Sequence, residues 1–195
     1  MFILQKFKKI ILLIILLNSV SCSSTHENKQ QSEIGEDKII YKEAIKYTKQ
    51  NKYKEGMKKF KKINDDFPFS KFSSDSKIYN AYLNYELNNH DETIRLLSDY
   101  IYMNPTGEFI DYAYYMMGMT YYVQISDPDR DSEFTKKAVE NFENLINSFP
   151  SSVYSKDAKL KKDLLYNYLA KKEFNIAMFY LKKNVPSPAI NRFSF

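Results

Sequence analysis

The sequence predicts an all-α fold, a superhelix (α-solenoid) of about three and a half helix-pair repeats, and three observations predict it. The 195 residues include only 4 glycines and 6 prolines, well below the usual share of turn-formers. Small residues at Ala44, Ala81 and Gly118 recur 37 positions apart. Long stretches of Lys, Glu, Leu, Ile, Asn and Tyr point to helices with short connections. A hydrophobic fraction of 44% with 27% charged residues fits a folded domain. One cysteine excludes an internal disulfide framework and a multi-Cys zinc site. Two histidines, His26 and His90, leave nothing for a His-based metal centre or triad.

Residues 1–21 form the first segment. Lys6, Lys8 and Lys9 precede an unbroken apolar run from Ile10 to Leu17. That run is too short to span a bilayer and matches the core of a signal peptide. Small residues lead to the sole cysteine in Ser19-Val20-Ser21-Cys22. This resembles a bacterial lipobox, where cleavage leaves an acylated N-terminal Cys22; the alternative is an ordinary secretory signal with an incidental cysteine. Removal of the segment takes three lysines and no acid, so the net charge falls from +5 to +2. That leaves little for a nucleic-acid stripe, and no nucleic-acid partner is expected. Residues 22–36 are polar with one aliphatic residue and read as a flexible tether. The repeat domain then runs over 37–195.

Within it, fixed steps from each small residue meet equivalent side chains. From Ala44 they reach Tyr47, Gly56, Phe60, Ile63 and Pro68. From Ala81 they reach Asn84, Thr93, Leu97, Tyr100 and Pro105. From Gly118 they reach Tyr121 and, after an eight-residue insertion, Ala138, Phe142, Leu145 and Pro150. From Ala177 they reach Tyr180, Ala189 and Phe193, where the chain stops. The pattern resembles the tetratricopeptide repeat. Two antiparallel helices nest only where small side chains cross, and proline ends the second helix because it cannot continue the hydrogen-bond ladder. Asn84 and Thr93 depart from the usual types. Helices are expected over about 37–50, 53–66, 72–87, 91–103, 108–124 and 133–148, then a long one over about 153–184 that lacks Gly and Pro. Ser187-Pro188 reads as an N-cap and first-turn proline opening a last, short helix. Either a partner covers this end or the fourth repeat is truncated; the expectation is truncation, with an apolar edge at Ile190 and Phe193.

Sequence chemistry argues against an enzyme. The stretch DPDRDSE at 127–133 has acids at alternate positions, but Ser132 and Ala138 stand where a calcium loop needs Gly and Glu. It reads as a polar inter-helix loop, and neither metal nor cofactor is expected. No phosphate-binding loop, nucleophile elbow or zinc-protease motif occurs. His26 and His90 are expected to be solvated, and the lysine runs at 58–62 and 159–162 to be wet helix faces.

The 17 tyrosines and 14 phenylalanines carry the functional signal. First helices of such repeats line the concave side. Positions at fixed steps from the anchors give Tyr41, Ile45, Ile78, Tyr82, Tyr85, Tyr115, Met119 and Tyr122 as a candidate peptide-binding wall, with Thr48 beside it. Tyrosine offers contact area and a hydrogen bond at little entropy cost. The competing reading packs these rings between helices.

Three stretches add a more specific resemblance. FPFSKFS (67–73), NPTGEFIDYAYYMMGMTYY (104–122) and FPSSVYSKDAKLKKDLLYNYLAKKEFNIAMFYLKK (149–183), with AINRF (189–193), are similar to the BamD (ComL) family over about 38–193. The resemblance implies a non-enzymatic lipoprotein of the outer-membrane β-barrel assembly machinery, anchored through Cys22 at the periplasmic face. It implies partners: the periplasmic domains of the barrel insertase, sister assembly lipoproteins and unfolded outer-membrane protein precursors. Family members usually carry five repeats. Their C-terminal repeats make the insertase contact, which marks Arg192 as the docking residue. Another periplasmic scaffold lipoprotein of the cell envelope is the alternative.

Overall fold

The computed structural model describes residues 35–127 and 132–194. The signal segment, Cys22, His26 and most of the tether lie outside the described residues, as does much of the 127–133 loop. Eight helices follow one another among the described residues: α1 (Glu36–Lys49), α2 (Tyr53–Asp66), α3 (Ser73–Glu86), α4 (His90–Met103), α5 (Ile110–Tyr122), α6 (Ser132–Ser148), α7 (Ser155–Lys182) and α8 (Pro186–Phe193). Each packs against the next. The all-α repeat fold expected from the sequence is the one observed. No helix among the described residues is long and apolar enough to cross a membrane.

The small residues lie where the pairs cross. Ala44, Ala81, Ala177, Thr93, Ala138 and Ala189 are all 0–1% exposed. A Cβ on Gly56 would stand 3.1 Å from Leu83 Cδ1 and 3.2 Å from Thr48 Oγ1. One on Gly118 would stand 2.5 Å from Phe142 Cε1. The polar departures in the second repeat are satisfied. Thr93 Oγ1 donates to the Asn89 carbonyl at 3.0 Å, and Asn84 Nδ2 to the Asn80 carbonyl at 2.9 Å.

Three apolar clusters fill the stack, and each borrows from its neighbour. Phe60 and Ile63 pack with Leu83 of the next repeat. Leu97 and Tyr100 pack with Ala113, Met116 and Met117. Phe142 and Leu145 pack with Ala158 and Leu165. No pair buries its apolar face alone, which is why such domains are stable only as arrays. α5 touches α3, α4 and α6, so its sequence IDYAYYMMGMTYY is apolar almost all round.

Turns within the pairs share one device. Asn51, Asn88 and Asn184 have φ of 58°, 60° and 56°, a left-handed conformation that asparagine tolerates at helix C-termini. The residue after each donates back to the last turn: Lys52 N to Tyr47 O, Asn89 N to Asn84 O and Val185 N to Tyr180 O. Each asparagine lies seven residues beyond Ala44, Ala81 or Ala177.

Two expectations need correction. α8 begins at Pro186 with Val185 as its N-cap, one residue before the expected Ser187 cap. Both prolines fit the first turn, where backbone N–H groups have no helical partner. His90 is not a solvated turn residue. It opens α4, lies half-buried with its ring 6.4 Å from that of Tyr85, and its Nδ1 is buried with no hydrogen-bond partner. Nothing in the structure explains that orphaned nitrogen. In the last pair Ile190 and Phe193 are 62% and 47% exposed.

Candidate functional site

Helices α3 and α5, both first helices, pack on each other more closely than the second helices α2 and α4 do. The first helices therefore form the inner side. Here a cleft of about 420 Å³ opens between α3, α5 and the start of α7. Tyr79, Tyr82, Phe109, Tyr112 and Tyr154 wall it, with Ile78 and Asp75 completing the lining.

Local sequence places these rings. Phe72, Phe109 and Tyr154 are the N-cap residues of α3, α5 and α7. Each follows a proline turn whose hydrogen bonds repeat: Ser70 N to Phe67 O, Gly107 N to Asn104 O and Ser152 N to Phe149 O. In two of the turns a serine clamps the following loop to the same repeat's first helix. Ser70 Oγ donates to Asp37 Oδ2 at 2.6 Å and Ser152 Oγ to Asp111 Oδ2 at 2.7 Å. The serine hydrogen bond holds the Asp37 carboxyl below its ordinary range.

Paired side chains hold the two ends of the cleft. Tyr41 OH donates to Asp75 Oδ2 at 3.2 Å, and Tyr41 stacks on Phe72 at 4.7 Å between centroids. Tyr115 OH donates to Asp157 Oδ2 at 2.6 Å and stacks on Tyr154 at 5.1 Å. Burial, reinforced by these carboxylates, keeps the phenols of Tyr41 and Tyr115 protonated well above the usual range. Burial does the same for Tyr112. The Asp157 carboxyl is held low, first by Lys161, whose Nζ lies 2.6–2.7 Å away, then by Tyr115.

A pH prediction follows. A depressed native pKa stabilises the fold above the ordinary aspartate value of about 3.9, and that stabilisation is lost as pH falls through the native value. Asp157 is partly solvent-exposed, so its contribution is at most about 1 kcal/mol. Asp157→Asn should melt below wild type at pH 7, and the gap should narrow as pH falls below the ordinary aspartate value of about 3.9. A gap that stays constant from pH 7 to pH 3 would show that the carboxylate charge is irrelevant.

Of the eight wall positions expected from the repeat, the structure brings Ile78 and Tyr82 to the cleft. Ile78 is 5% exposed and mainly core. Tyr41 and Tyr115 stand behind its ends. Ile45 and Met119 flank the first and third apolar clusters, Tyr85 the second, and Tyr122 lies beneath Lys161, 5.9 Å from the ammonium to the ring centroid. Repeat reasoning missed Tyr79, Phe109, Tyr112 and Tyr154. The aromatic residue in each proline turn was the available signal for Phe109 and Tyr154. At the other end of the domain, Arg192 Nη1 lies 2.8 Å from Glu173 Oε2 on α7.

A family model described as outer membrane lipoprotein, YfiO, matches residues 34–195. The chain belongs to the YfiO family. Similar YfiO-type relatives carry the name outer membrane protein assembly factor BamD. The Rickettsia prowazekii protein is 36% identical over 154 residues, 79% of this chain and 61% of that one. The Caulobacter vibrioides protein is 28% identical over 80% of this chain and 51% of its own length. The Haemophilus influenzae protein is 25% identical over 97% and 75%. The chain thus spans about half to three-fifths of the length of the first two relatives. A crystal structure of a thermophilic TPR protein from Thermus thermophilus superposes with a TM-score of 0.52 at 12% identity, covering 81% of this chain and 88% of that one. That likeness supports the repeat fold of this YfiO-family chain.

Proposed function

We propose that this chain is a non-enzymatic assembly factor for outer-membrane β-barrel proteins. It is held at the periplasmic face of the outer membrane by acylated Cys22 through the 22–36 tether, and it grips unfolded barrel precursors along its inner side. The aromatic cleft in a YfiO-family repeat domain is the observation that carries this reading. Barrel strands alternate apolar and polar residues and carry aromatic girdles. An extended strand can place aromatic side chains against Tyr82, Phe109, Tyr112 and Tyr154, while Asp75 accepts a backbone N–H. Of the expected wall, Ile78 and Tyr82 line this surface and Tyr41 and Tyr115 brace its ends. Docking on the insertase and sister lipoproteins falls to the C-terminal helices. There Arg192 would exchange Glu173 for a partner's carboxylate.

Depletion of the chain in its own cells should lower folded barrel proteins in the outer membrane, and wild type should restore them. The Cys22→Ser protein should fractionate as soluble and fail to restore them, because multiple acyl chains are what anchor stably. Undiminished barrel assembly after depletion would remove the assignment. Tight membrane association of Cys22→Ser would remove the anchor.

A further inference from the structure

On the other side of α3 from the aromatic cleft lies a polar groove between the splayed helices α2 and α4. It consists of two adjoining clefts of about 280 and 380 Å³, and Lys61, Asn80 and Glu92 line both. Its floor is made by the second repeat's departures from the pattern. Where the first and third repeats carry Glu43 with Tyr47 and Met117 with Tyr121, this one carries Asn80 with Asn84. The shorter side chains leave the space open.

The hydrogen-bond pattern fixes which way these amides point. Asn84 Nδ2 donates to the Asn80 carbonyl at 2.9 Å, so that atom must be the NH2. It also donates to Asn80 Oδ1 at 3.3 Å, and Asn84 Oδ1 accepts from Asn89 Nδ2 at 3.3 Å. The Asn80 NH2 is left over. Asn80 is only 9% exposed, and among the described residues its NH2 has no acceptor. It is not among the fully sealed orphan atoms, so the groove is what it addresses. Held in place by the Asn84 bond, this donor is positioned to meet a ligand's acceptor without further ordering.

Charge around the floor is net positive, five cations against three carboxylates in the lining. Glu92 and Asp99 both pair with Arg95, at 2.6 and 2.8 Å. Among the described residues Lys54, Lys58, Lys61 and Lys77 make no ion pair, and Asp65 is the remaining carboxylate in the lining. Met57, Leu96 and Met103 supply adaptable apolar contacts along it. From Lys77 to Asn84 the floor runs about 10 Å along α3, the span of three or four extended residues.

We propose that this groove binds an acidic, extended peptide segment of a partner protein. One carboxylate accepts from the Asn80 NH2 and Lys61, and aliphatic side chains lie on the methionines. It is a second protein interface, separate from the precursor cleft. A fluorescein-labelled Glu-Leu repeat peptide titrated into the full chain in detergent tests it, with the Gln-Leu repeat as control. The acidic peptide should bind at least about tenfold tighter than the control at low salt, and salt should weaken it. Lys58→Glu combined with Lys61→Glu changes only exposed side chains, so the fold should survive. That variant should lose about tenfold or more, and Lys171→Glu on distant α7 should lose nothing. Asn80→Leu should lose several-fold with helicity retained. Equal binding of both peptides, or indifference to the double charge reversal, would overturn the proposal. So would displacement of the peptide by phosphatidylglycerol vesicles and not by zwitterionic ones, which would assign the groove to a lipid headgroup.

Discussion

Phe142→Ala is expected to cost the domain about 3–5 kcal/mol, a drop in melting temperature on the order of 10 °C. The ring is 0% exposed and sits at the centre of the third apolar cluster. It lies against Gly118, where a Cβ would meet Phe142 Cε1, Cδ1 and Cζ at 2.5, 2.7 and 3.0 Å. Gly118→Ala should therefore destabilise as well. A mid-helix alanine gains about 1 kcal/mol of propensity over glycine, but overpacking a filled core typically costs about 1–3 kcal/mol, and this ring has no solvent side to retreat to. The two changes should couple. In a Phe142→Leu background, the smaller side chain leaves room for the new methyl, and Gly118→Ala should become neutral or stabilising. Thermal and urea unfolding of the four proteins measure this. Additive effects would mean that helices α5 and α6 do not nest through Gly118.

Tyr82→Ala combined with Tyr112→Ala should weaken binding of a urea-unfolded outer-membrane barrel protein by on the order of 30-fold or more. Buried aromatic anchors are worth about 2 kcal/mol or more each when truncated. Both rings line the same cleft, yet they sit differently. Tyr82 flanks the first two apolar clusters, whereas Tyr112 leans on Tyr154 at 5.1 Å between centroids. Tyr112 also packs against the second cluster, so either single substitution should lower the melting temperature. Tyr122→Ala, a ring of the expected wall that lies outside the cleft beneath Lys161, should leave affinity within about twofold. Helicity by circular dichroism separates the two readings of these tyrosines. Lost affinity with retained helicity places them in the binding surface. Retained affinity with collapsed stability places them in the core.

Local chemistry determined most of the fold from the sequence. The 37-residue recurrence of Ala44, Ala81 and Gly118 marks helix crossings because only small side chains let backbones approach there. The prolines at 68, 105 and 150 mark helix ends because they cannot donate to the ladder. Asn51, Asn88 and Asn184 emerged as left-handed turn residues only in the structure, although their common offset from the anchors is present in the sequence. The tertiary structure decided which of many aromatic side chains work at the surface. Repeat position alone treats Tyr41, Ile78 and Tyr115 as equivalent, but Tyr41 and Tyr115 reach carboxylates at Asp75 and Asp157 in the following repeat, and Ile78 has no such partner. Only the distance between neighbouring helices makes α3 and α5 close around a cleft while α2 and α4 spread above Asn80. That distance is set by the sum of side-chain volumes across each interface, a property of pairs far apart in the chain.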